Sequence, residues 1–230
     1  MPNLDPRFTC LLALLLSVGQ AASAVEPADP TAVALHAALA KNISHAKDKL
    51  DEKELKSLAK AAGGLQILGE VLRARSDDKV WQETTTKLLA VVTELRAAAE
   101  NGDVAKCGAA LSALDKAALA AAGVSPTGKP QEPPRPPSIP RLMPVLDGVY
   151  ADAKIALLTG NVESAKKQAL VLSELGQLVS NSRGEAFSML IDDFRKACLA
   201  AANTTETKPQ DVRQIFRGIS QQCEACHKTR

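Results

Sequence analysis

Between positions 123 and 140 the chain reads "GVSPTGKPQEPPRPPSIP", and no regular core element can run through such a stretch. Proline lacks the amide donor that a helix interior or central strand requires, and it biases the residue before it towards extended backbone. Residues 124–140 are therefore expected to form a semi-rigid, extended spacer. What lies on each side must find its own way to bury apolar surface.

Both sides read as helix. On the first side, segments 31–49, 51–74, 77–100 and 103–122 are separated by "LDEKE", "RSDDK" and "ENGD". On the second, segments 141–158, 161–179, 185–202 and 209–228 are separated by "TGN", "NSRG" and "NTTETKP". Each break supplies a capping side chain or a glycine where a helix stops or starts. The last segment shows the periodicity plainly, with Val212, Ile215, Phe216, Ile219, Cys223 and Cys226 on one face. The segment before it does the same with Phe187, Leu190, Ile191, Phe194, Cys198 and Ala201. Aromatic residues make up only 3% of a chain that is 46% hydrophobic, which suits closely packed Ala and Leu helices better than strands. Short connections make successive helices antiparallel neighbours, so the expected fold is all-α: two tandem four-helix bundles, residues 27–123 and 141–230.

The first residues, "MPNLDPRFTCLLALLLSVGQAASAVEP", place Arg7 before an apolar run and small residues at Ala22 and Ala24. This is the pattern of a secretory signal peptide covering residues 1–24, with no membrane span expected in the mature, exported chain. Removing Asp5 and Arg7 with it leaves the formal net charge at +2. So balanced a chain has no polybasic block for nucleic acid or anionic lipid. Of the five cysteines, Cys10 leaves with the leader. Cys107 and Cys198 each fall on an apolar helical stripe, where a small buried thiol is the plain reading.

The halves read as repeats of one another. Placing Leu111 on Phe216 aligns Cys107 with Val212, Ala110 with Ile215 and Leu114 with Ile219. Ala118, Ala121 and Ala122 then stand where Cys223, Cys226 and His227 stand. The first half is expected to be the same bundle with its reactive trio replaced by alanine.

That trio, in "CEACH", carries the chemistry. Cysteines three apart project from one helical face and the following histidine points close to the same side. This suits covalent haem, in which two thiols join the two vinyl groups and the imidazole becomes the proximal iron ligand. Composition alone gives about one CxxCH match in a thousand such chains. A zinc ribbon needs a second close Cys/His pair, whereas His36 and His45 lie in the other half and Cys107 and Cys198 are solitary. A thioredoxin-like dithiol belongs at a helix N-terminus after a strand, and this pair sits at a helix C-terminus. A structural or adaptor protein with Cys223 and Cys226 as a disulfide or metal site is the alternative. No paired-carboxylate, Ser/His or phosphate-loop constellation points to an enzyme, and the adjacent Asp192 and Asp193 diverge on their helix.

The second half, from residue 141 to 230 and most specifically in "CEACHKTR", resembles the class II c-type cytochromes, the cytochrome c-prime family. The "AAAENGDVAK" of the first half resembles the turn that leads into that family's haem helix. The resemblance implies one haem c per chain, attached through Cys223 and Cys226 with His227 as proximal iron ligand, in a periplasmic protein. It implies electron transfer with a redox partner protein, or binding of NO or CO. The distal residue comes from the bundle's first helix, which makes Met143 a candidate sixth ligand and Val145, Leu146 and Val149 candidates for an apolar guard. Pro144 is expected to hold Met143 extended, before or at that helix start. Met189 is expected in the core, His36 and His45 exposed or locally bonded, and Arg141 near a haem propionate. The haem-free first bundle then mimics, within one chain, the paired subunits of the family, and a homodimer is a further form of the same packing.

Overall fold

A computed structural model describes residues 29–132, 137–183 and 185–228. The signal-peptide expectation for residues 1–24 falls outside them. Among the described residues the chain is all-α, with eight helices and no strand. They are α1 (Pro30–Asp51), α2 (Leu55–Arg73), α3 (Lys79–Glu100), α4 (Val104–Ala122), α5 (Ile139–Leu158), α6 (Val162–Arg183), α7 (Glu185–Ala202) and α8 (Pro209–Lys228).

Their starts follow from capping chemistry. The first N–H groups of a helix have no partner inside it, and a side-chain oxygen just before them supplies one. Asp29 accepts from the Thr31 amide at 2.9 Å, Asp78 from Trp81 at 2.9 Å, Asp103 from Lys106 at 3.0 Å and Asn161 from Ser164 at 3.0 Å. Between α1 and α2 the chain turns through Lys53 at φ 58°, a left-handed conformation that costs a non-glycine residue free energy. That turn moves the start of α2 from the expected Asp51 to Leu55.

Each helix packs on the next within α1–α4 and within α5–α8, and each set of four closes through contact of its first helix with its last. In the second set that closure is pinned by Arg213, whose Nη2 donates to the Leu157 carbonyl at 2.8 Å. Cross-contacts of α1 with α6 and α2 with α5 join the sets, and the buried apolar residues form one continuous core running through both. Arg75 ties the seam, reaching Asp29 at 2.9 Å and Glu174 of α6 at 3.3 Å.

The first set is filled by the leucines Leu65, Leu68, Leu72, Leu88 and Leu95 and by Trp81, all fully buried. The Trp81 indole donates to the carbonyls of Leu72 and Arg73 at 3.1 and 3.2 Å. With Gln82 Nε2 donating to Arg73 O at 2.9 Å, side chains of α3 help to close the C-terminal end of α2. His36 stands edge-on to that indole, ring centroids 5.9 Å apart, and burial holds its imidazole below the usual histidine range. It is therefore neither exposed nor locally bonded as expected, whereas His45 is exposed.

The proline-rich stretch is only partly a free spacer. Its first part turns back onto the α2–α3 connection, where Gln131 N–H donates to Ala74 O at 2.7 Å and Asp77 N–H to Lys129 O at 2.9 Å. Its end is already helix, because α5 begins at Ile139 with Pro140 in its first turn. A first-turn residue needs no amide donor, so proline is tolerated there. Pro144 lies inside α5 as well, which makes Met143 helical and corrects the extended conformation expected of it. The amide that Pro144 lacks would have served a carbonyl at the very start of the helix, where the missing bond disturbs least.

Candidate functional site

The last two turns of α8 carry Cys223, Cys226 and His227, and they stand on the same face as Val212, Phe216 and Ile219, which are buried. That face points the two cysteines towards α5, α6 and α7. Cys223 and Cys226 are half-buried and pack against the core, while His227 is exposed at its edge.

A cavity of about 350 Å³ opens beside them. Leu172, Val179, Ile191 and Phe194 are buried in its wall, with Leu190 and Gly176 beside them. From α5 come Met143, Leu146, Asp147 and Tyr150, and from α8 Gln222, Cys223, Glu224, Cys226 and His227. All four helices of the second set therefore contribute. The interior is mostly apolar, and polar groups sit on the α5 and α8 walls, which is the usual character of a cofactor pocket. Gly176 is a close-approach position: a Cβ there would stand 3.0 Å from the Phe194 ring and from Arg195 Cγ.

The electrostatics disfavour thiolate chemistry. Burial, then the charge of Asp147 and the neighbouring Cys226, pushes the Cys223 thiol up to about 11. Cys198, fully buried on α7, is raised further, again by burial first. Cys107 is buried in the first set and also raised by burial, with Asp103 adding to it. Among the described residues no group of three or more His, Cys, Asp and Glu side chains converges to hold a metal ion. Covalent haem asks for no such convergence, since the two thiols bond to carbon and only the imidazole reaches iron. The donor set and the apolar cavity beside it fit that group.

The candidates on α5 divide by helical face. Met143 and Leu146 line the cavity. Val145 and Val149 face the seam with the first set: a Cβ on Gly64 of α2 would meet Val145 Cγ2 at 3.5 Å, and Val149 lines a groove shared with α1. Arg141 is exposed and lines a different cleft. Asp147 and Tyr150 went unnoticed in the sequence, although the i, i+4 and i+7 spacing from Met143 marks them as its face. Met189 is 77% exposed rather than buried in the core. It lies two residues from buried Ile191, on the opposite side of α7 from that side chain.

No helix among the described residues is long and apolar enough to cross a membrane. No family model matches the chain, and no curated protein and no solved structure matches it.

Proposed function

We propose that this chain is an exported, periplasmic c-type haem protein built as two four-helix bundles, 27–123 and 141–230, of which only the second carries haem. Cys223 and Cys226 form the two thioether attachments and His227 is the proximal iron ligand. The observation that carries the reading is the apolar cavity of about 350 Å³ lined by those three residues. Bound there, haem supplies a one-electron iron couple and a site for small diatomic ligands.

The protein's own contribution is attachment, exclusion of water and choice of the sixth position. Leu172, Val179, Ile191 and Phe194 keep the cavity dry, and the absent side chain at Gly176 leaves the Phe194 ring its place in the wall. Met143, on the α5 wall, is the thioether available as sixth ligand. Methionine–histidine ligation raises the reduction potential and suits an electron carrier with a redox partner protein. Buried Leu146 beside it supports the second reading, a guarded open site for NO or CO. The first bundle serves as packing partner, and two positions of its last helix match the second in burial, although Ala121 is buried where Cys226 is half-buried. Ala118 is half-buried like Cys223, and Leu114 is fully buried like Ile219.

The test is the visible spectrum of the exported protein, reduced, before and after CO. A narrow low-spin spectrum indifferent to CO, turning CO-sensitive in Met143→Ala, supports the electron carrier. A broad high-spin spectrum that sharpens on CO supports gas binding. Absence of a haem spectrum refutes both and returns the chain to the structural reading with Cys223 and Cys226 as a disulfide or metal site.

A further inference from the structure

A second cleft, of about 750 Å³, lies across the seam between the two sets of helices. Its floor is the shoulder of α2, where Gly63 and Gly64 keep it open: a Cβ on Gly63 would meet nothing within 4 Å. Its walls come from α1, the end of α3 and the start of α5. Five cationic or cation-forming side chains line it against two carboxylates, Glu54 and Glu100.

The pairing is unequal. Lys49 holds Glu54 at 3.2 Å and Arg96 holds Glu100 at 2.8 Å. That leaves Lys60, Arg141 and His45 with no ion pair among the described residues. They come from α2, α5 and α1 respectively, so three separate elements bring unspent donors to one cleft. All three are exposed, and like charges lining one concavity raise its positive potential. Guanidinium and ammonium groups are the side chains that oxyanions favour.

We propose that this cleft binds a small multivalent oxyanion, a phosphate or a dicarboxylate, held by Lys60, Arg141 and His45. Because Arg141 stands on α5 and the other two on α1 and α2, the bound anion braces one set of helices against the other. The site is separate from the cavity at Cys223 and does not depend on haem.

The experiment is a titration of the full exported chain with inorganic phosphate and, separately, with succinate, each against sodium chloride at the same ionic strength, following the thermal unfolding midpoint. The midpoint is expected to rise with phosphate or succinate beyond the chloride control, and the more effective anion identifies the ligand class. Lys60→Ala and Arg141→Ala should each weaken the apparent Kd about tenfold, the loss expected for one charge-assisted contact. Lys208→Ala, an exposed cation outside the cleft, should bind as the parent does. All three positions are exposed, so helical circular dichroism should match the parent. A midpoint no higher than in chloride overturns the proposal, as does parental affinity in either cleft variant. The visible spectrum should be unchanged by these variants, so a failure here is distinct from a failure of the haem assignment.

Discussion

Burial disfavours the thiolate of Cys223, and Asp147 adds negative charge to the same space, which together push the thiol up to about 11. At pH 8 only about one haem-free chain in a thousand then carries the thiolate, whereas a redox dithiol is activated by a lowered pKa. Iodoacetamide labelling of Cys223 in haem-free protein should therefore rise about tenfold per pH unit between pH 8 and 10. Rapid labelling at pH 7 would contradict the placement. Cys198, deeper and raised further, should label only on unfolding. His36 gives a second residue-scale expectation. Its folded pKa lies below the ordinary value of 6.5, so the unfolded chain takes the proton more readily. The associated stability is full above pH 6.5 and falls as pH drops below it. His36→Leu should flatten that fall between pH 7 and 5.5, as measured by urea unfolding at each pH.

At the scale of elements, most helix positions were legible because capping residues and apolar stripes are local. The positions of α7 and α8 match the 185–202 and 209–228 segments read from periodicity. The start of α5 at Ile139 precedes the expected 141 because proline, barred from helix interiors, is tolerated in a first turn. The α5 candidates divide between two faces because two partners compete for that helix, the cavity and the first set, and periodicity does not assign a stripe to either. The close approach at Gly176 was equally hidden, since it depends on where Phe194 of a neighbouring helix lies. Gly176→Ala sets a helix-propensity gain of about 1 kcal/mol against an overpacking cost of about 1–3 kcal/mol. With a ring and a side-chain stem both at 3.0 Å, overpacking should win and leave the variant about 1 kcal/mol less stable by chemical denaturation. A more stable variant would mean that Phe194 moves freely. In α8 the last turns are only partly covered, so haem attachment should raise hydrogen-exchange protection most over residues 220–228, where opening is local.

For the whole molecule, the continuous core binds what the proline stretch divides. Its return to the α2–α3 connection was not readable from composition, because those bonds join backbone groups far apart in sequence. Trp81, fully buried with its indole bonded to two carbonyls, anchors the first set, and Trp81→Ala should cost about 3–5 kcal/mol. Because α1–α6 and α2–α5 contacts share one core, Trp81 fluorescence and haem absorbance should report coincident thermal transitions in the loaded protein. Two separated transitions would show that the sets unfold independently. The proposal that everything else depends on is covalent haem at Cys223 and Cys226. The most direct measurement is haem staining of the protein on a denaturing gel, beside the Cys223→Ala/Cys226→Ala double variant. A stained band that survives denaturation is expected for the parent and is expected to be lost in the double variant. An unstained parent, made with the haem-attachment machinery present, would contradict the proposal.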